Sequence, residues 1–130
     1  MTEFTFKVRK DVITIKQYLT NIEKFVNVHP LIYKMTALGE NKHKVFEKVM
    51  IGVMLYNFTY KAFITHDKDS VKIVATIMGI TTISMLFTFK EEDNITTTNE
   101  RLTVNSPLPI KNYMYKLIEK QHRIMLLLRV

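Results

Sequence analysis

The sequence predicts an α+β fold: a curved antiparallel sheet of about seven strands wrapped around a long helix near its end, with two short helices after strand 1. Three observations carry this. Apolar and polar residues alternate with period two in the first nine residues and again from Leu31 to Asn105. Two capping residues, Asp11 and Asn21, each precede a short run at helical spacing. After Pro109 the period lengthens to 3.6 and stays there. A sheet with one apolar face needs a cover, and the stripe after Pro109 is the long apolar one available to supply it. Residues 1–130 read as a single domain, because a domain takes about 100 to 150 residues and a second core has no room.

Each element has its own signal. Phe4, Phe6 and Val8 alternate with Thr5, Lys7 and Arg9, which makes a half-buried strand. Asp11 then caps a helix carrying Ile15, Tyr18 and Leu19. Asn21 caps a second with Ile22, Phe25 and Val26, which ends before Pro30, so the two form an elbow. Strands follow over Tyr33 to Leu38, Lys44 to Ile51 and Leu55 to Thr65, separated by the Gly39–Lys42 turn and by Gly52. The third of these sets Tyr56, Phe58, Tyr60, Ala62 and Ile64 on one face. The segment His66 to Ser70 closes that hairpin. Val71, Ile73, Ala75 and Ile77 alternate next, Gly79 turns the chain, and Ile83, Met85, Phe87 and Phe89 alternate after it. A tight turn at Glu91–Asn94 leads to a Thr-rich strand from Ile95 to Val104, whose inner side is set by Leu102 and Val104. Ser106-Pro107-Leu108-Pro109 stops that strand, with Ser106 a candidate cap for the final helix. The helix stripe is Ile110, Met114, Leu117, Gln121, Ile124, Met125 and Leu128, opposite Lys116, Lys120 and Arg123.

Composition narrows the function classes. With 47% hydrophobic and 24% charged residues the chain is globular rather than disordered. Nineteen Lys and Arg against twelve Asp and Glu give a net charge of +7, which favours anionic partners. Zero Cys excludes disulfide frameworks and thiol chemistry. The N-terminal residues lack the apolar run of a secretory signal, and the longest uncharged stretch, Ile73 to Phe89, is shorter than the roughly 20 residues of a membrane span. The expected location is cytoplasmic. Three glycines at positions 39, 52 and 79 cannot form a Rossmann or phosphate-loop motif. HExxH and GxSxG are absent, so neither zinc hydrolysis nor the common serine-hydrolase layout has support. No cofactor, metal ligand or catalytic residue is assigned.

The order of elements, the elbow Leu19-Thr20-Asn21-Ile22-Glu23-Lys24-Phe25 ending at His29-Pro30, and the Ser106–Ile110 entry to a closing helix resemble the START-like, or SRPBCC, superfamily. This superfamily of helix-grip folds includes polyketide cyclases, lipid-transfer domains, the major birch pollen allergen and a chaperone-ATPase activator domain. The chain is most similar to small bacterial members in which a proline-rich entry and a Gln-His pair, here Gln121-His122, recur. The resemblance implies an elongated apolar pocket between sheet and final helix. Two departures, a short chain and no Trp near the elbow, point to a smaller cavity and a role other than cyclisation.

Candidate ligand contacts follow from strand parity and helix phase: Tyr33, Met35, Tyr56, Phe58, Tyr60, Met85, Phe87, Met114 and Leu117. Their bulk predicts a modest pocket, with Phe58 packed as core. Glu47 shares parity with Val45 and Val49, and Glu100 with Leu102 and Val104, so both join the candidates. A buried Glu would have its pKa raised by desolvation and could anchor a polar group or act as a general acid. The expected outcome is milder: solvation near a barrel end, or pairing with a nearby Lys. Among the histidines, His29, just before Pro30 at the expected pocket mouth, offers an acid or base but is read as a structural residue at the helix end, His43 and His66 as turn residues, and His122 as packing on or capping the closing helix.

Three function classes remain. The leading reading is a non-catalytic module binding a small hydrophobic or amphipathic molecule, lipid-like or polyketide-like. The alternatives are a cyclase or dehydratase-type enzyme using inward polar residues, and an interaction protein whose basic surface meets an acidic protein partner or an anionic membrane. Nucleic acid is not expected, since no recognition helix or exposed aromatic platform is legible. Acid–base catalysis needs two titratable groups converging on one substrate position, and Glu47 and Glu100 lie on strands that should be well separated.

Overall fold

The structure, a computed structural model, describes residues 1–51 and 53–130. Among these, seven strands form one antiparallel sheet: β1 (Thr2–Val8), β2 (Ile32–Gly39), β3 (Lys42–Ile51), β4 (Met54–His66), β5 (Ser70–Ile77), β6 (Thr81–Glu92) and β7 (Ile95–Asn105). Their order is β1-β7-β6-β5-β4-β3-β2, so β2 to β7 make a meander and β1 returns to pair with β7. The connection that carries the chain from one edge to the other is the elbow of α1 (Val12–Thr20) and α2 (Ile22–Val28). The turn expected at Gly52 lies outside the described residues. Among the described residues no helix is long and apolar enough to cross a membrane.

Local chemistry explains the elements. The Thr14 N–H donates to Asp11 Oδ1 at 2.8 Å and the Lys24 N–H to Asn21 Oδ1 at 3.1 Å, so each elbow helix has the side-chain cap its sequence predicts. The helices bury Ile15, Leu19, Phe25 and Val28. Asp93 and Asn94 both adopt positive φ, the two-residue hairpin geometry that matches the twist of the flanking β6 and β7. Met78 and Gly79 do the same between β5 and β6, where glycine takes φ 71° without the steric cost a side chain brings.

The closing helix α3 spans Lys111–Ile124 and continues as a π-helical turn over Met125–Arg129. Its start departs from expectation. Ser106 does not cap it; the Ser106 hydroxyl accepts from the Leu108 N–H and bonds Thr81, holding the proline-rich entry as a turn, and Ile110 stands at the cap position without a side-chain bond. Its end departs too. Leu126 is buried and Leu128, placed on the inner stripe by the 3.6 period, is 78% exposed. The Val130 N–H bonds the Met125 carbonyl, the i to i+5 spacing of a π turn, which rotates each following side chain by less than an α turn does.

Two of the expected inward aromatics also sit elsewhere. Tyr33 lies outward, 46% exposed, against Phe46 and under the Lys48 ammonium at 4.8 Å. A register shift between Ile32 and Lys34 breaks the alternation that would have turned Tyr33 in. Tyr56 has the right parity, but β5 pairs with β4 only from Lys61 onward, so Tyr56 stands on an overhanging hairpin and is 43% exposed. His43 lies in β3 opposite Ala62 rather than in a turn, and His66 is the last residue of β4. On the outer face Lys34 and Lys44 cover Phe46 and Lys42 covers Phe63, an aromatic and basic surface the sequence did not reveal.

Candidate functional site

Close approach of the closing helix is to β1 and β7, while it stands off from β3 to β6. The gap is a cavity of about 300 Å³. Its walls are apolar: Val45, Phe58, Ile73 and Met85 from the sheet, Phe25 from α2, and Met114, Leu117 and Ile118 from α3. Met78, Leu108 and Tyr113 line it and are also exposed, which sets the mouth between the β5–β6 turn and the start of α3. The deep end is near Gln121 and His122. Eight to nine residues of helix separate them from Tyr113, roughly 13 Å at 1.5 Å per residue.

Polar groups gather at that deep end. Glu47, half-buried and inward as parity requires, accepts from the Tyr60 hydroxyl at 2.7 Å and from Gln121 Nε2 at 3.5 Å. Burial pushes the Glu47 carboxyl above the usual range, while the bonds from Tyr60 and Gln121 and the charge of His122 pull the other way. Burial, followed by the adjacent Glu47, drives the Tyr60 phenol well above its ordinary value. Tyr60 therefore stays the donor of this pair.

Glu100 is fully buried, flanked across the strands by Phe4 and Phe87. Both of its oxygens lie within 2.8 Å of His122 Nδ1. Nearly equal approach to the two oxygens is the geometry of an N–H shared over a carboxylate, so the network assigns the Nδ1 proton to His122. His122 is itself 4% exposed and packs on Phe87, with ring centroids 5.6 Å apart. The expectation that Glu47 and Glu100 are solvated or paired with lysine is overturned. Both acids are turned to the inner face of the sheet, and the helix opposite supplies a histidine and a glutamine.

His29, at the C-terminal end of α2, is structural as expected: its Nδ1 accepts the Leu31 and Ile32 N–H groups at 3.1 and 3.0 Å. It also lines the cavity, edge-on to His122 with centroids 6.3 Å apart. Burial, with the charges of His122 and Arg129, holds its pKa down to about 3.

Of the sequence candidates, Met35, Glu47, Phe58, Tyr60, Met85, Met114 and Leu117 line the cavity. Phe87 and Glu100 lie behind its wall, supporting His122, and Tyr33 and Tyr56 lie away from it. Sequence reasoning missed His122 and Gln121 as cavity residues and set His29 at the mouth of the pocket rather than beside His122. The signal for the first two was the helix stripe, on which Gln121 was the one polar member.

No protein-family model matches the chain, and no curated protein matches it. Solved structures do. A conserved protein from Geobacillus kaustophilus superposes with TM-score 0.79 at 9% identity, covering 95% of this chain and 88% of that one. A START superfamily protein from Mycobacterium smegmatis gives 0.71 at 12% identity, covering 95% and 92%. The di-domain ARO/CYC StfQ from the steffimycin biosynthetic pathway gives 0.74 at 14% identity, with 96% of this chain on 47% of that one. The chain has the helix-grip fold, shared with these structures.

Proposed function

We propose that this protein binds a small amphipathic molecule, lipid-like or polyketide-like, with its apolar body in the cavity and its polar end toward His122. The observation that carries this reading is the cavity itself, apolar along its walls and polar at its deep end. Close packing would otherwise fill such a space, since protein interiors leave few voids larger than a water molecule. The volume stands at the lower limit of the range for small-molecule sites, about 300 to 1,000 Å³. Native mass spectrometry of freshly purified protein tests it, with a retained small molecule as the expected result. Ala75→Phe, which adds a ring to the cavity lining from β5, should abolish uptake of an apolar fluorescent probe. Unchanged uptake in that variant would refute the site.

A second reading is favoured by Glu100 and His122. A carboxylate behind an imidazole fixes its tautomer and stabilises its protonated form, the arrangement of a general base. Glu47 and Glu100 are separated in the sheet as expected, but Gln121 and His122 bring both acids to one end of the cavity. A cyclase or dehydratase-type activity would then lose a hundredfold or more in turnover in Glu100→Gln while binding survives.

A further inference from the structure

The geometry points to a hydroxyl group, of the alcohol or phenol class, as the ligand's polar head, held between Nε2 of His29 and Nε2 of His122. This rests on the cavity being a ligand site, and it follows from which hydrogen-bonding atoms there are already engaged. Glu47 already accepts one bond on each oxygen, from Tyr60 and from Gln121. His29 Nδ1 accepts two backbone N–H groups, so it carries no proton, and the neutral ring must hold its proton on Nε2. His29 is thus a fixed donor. His122 Nδ1 donates to Glu100, and on the neutral ring this leaves Nε2 as an acceptor. Among the described residues neither Nε2 bonds a protein group, and both rings line the cavity. Both side chains are more than nine-tenths buried. The Gln121 amide oxygen, whose nitrogen serves Glu47, adds a second acceptor.

A head group that fits must accept from His29 and donate to His122 through one small group, which a hydroxyl does. A carboxylate or phosphate only accepts, and it would meet Glu47 and the Glu100–His122 pair with no Lys or Arg among the residues that line the cavity. An ammonium only donates and would leave the His29 N–H unpaired. A carbonyl leaves the His122 acceptor unpaired. The roughly 13 Å from mouth to histidines leaves room for a two-ring apolar body behind the hydroxyl.

Three probes of one shape separate these cases: β-naphthol, its isostere β-methylnaphthalene, and β-naphthoate. Titration calorimetry on the full chain should give β-naphthol at least tenfold tighter binding than either of the others, from two hydrogen bonds in a dry site. His29→Asn and His122→Asn sharpen the test. The asparagine Oδ1 can still accept the Leu31 and Ile32 N–H groups, and its Nδ2 can still donate to Glu100, but the ε nitrogen is gone. Each variant should keep β-methylnaphthalene binding and bring the naphthol preference close to one. Equal binding of β-naphthol and β-methylnaphthalene by the wild type would leave the cavity reading intact and overturn the hydroxyl site. Tightest binding of β-naphthoate would overturn it too, as the sign of an anion site with protons on both histidines. Failure of all three probes to bind would overturn both readings together.

Discussion

His29 makes the protein acid-sensitive in a way that one substitution can isolate. Its ring is buried, its Nδ1 is committed to two backbone donors, and its pKa falls from 6.5 to about 3 in the fold. Above pH 6.5 the ring is neutral in both folded and unfolded chains and contributes no pH dependence. As the pH falls below 6.5 the unfolded chain takes up a proton that the folded chain refuses, so stability drops by up to about 1.4 kcal/mol per pH unit. The loss continues until the folded ring protonates near pH 3, and sums to roughly 5 kcal/mol, comparable to the whole stability of many domains. Urea unfolding of wild type and His29→Asn between pH 7.5 and 3.5 measures it. Asparagine can keep the cap and does not titrate, so any constant offset between the proteins is set aside and only the difference in slope counts. That difference should open below pH 6.5 and reach about 2 to 3 kcal/mol by pH 4.5. Glu47, shifted upward, titrates in both proteins and cancels to first order. Parallel stability curves would show that the fold does not hold His29 neutral.

Further outcomes follow from burial and pairing. Glu100→Ala leaves the His122 N–H unpaired in the core and should cost about 3 to 5 kcal/mol in thermal unfolding, whereas a Glu100→Leu/His122→Phe double variant should recover most of that loss. Phe58 is half-buried and faces the cavity rather than packed core, so Phe58→Ala should cost about 1 to 2 kcal/mol by denaturant titration, below the 3 to 5 of a core phenylalanine. Leu126→Ala should cost about 2 to 5 kcal/mol and Leu128→Ala less than about 0.5, the reverse of an unbroken α-helical stripe, and equal losses would remove the π turn.

The fold was legible where a local rule had no competitor. Caps at Asp11 and Asn21, alternation through β1 and β4 to β6, and the change of period after Pro109 each follow from side-chain geometry within a few residues. What failed was also local, but set by a partner out of view. Tyr33 turns outward because a register shift against β3 breaks the alternation, and Tyr56 is exposed because β5 ends short of it. The π turn is set by a backbone bond from Val130 to Met125, which an apolar run such as Met125–Leu128 cannot signal, since it suits either phase. Parity did place Glu47 and Glu100 inward. It could not show what they meet, because the partners come from a helix whose rotation relative to the sheet is decided by packing.

Glu100 is difficult to explain as a stabilising residue. Its row neighbours Phe4 and Phe87 are aromatic, its inner-face neighbours on β7 are Leu102 and the buried Thr98, and a leucine there would extend the core from Leu102 without the cost of desolvating an acid. Buried ion pairs and charged hydrogen bonds at best roughly balance that cost against a well-packed apolar alternative. The same holds for His122, which replaces apolar volume on the innermost stripe of α3. Helix closure over the sheet needs neither of them, as Ile118, Met125 and Leu126 supply buried apolar contact on either side. What the pair provides that leucine and phenylalanine cannot is an imidazole of fixed orientation and tautomer lining a cavity. On the ligand-binding reading proposed above, the polar end of this interior is chemistry directed at a ligand, held in place by a fold that would be about as stable without it.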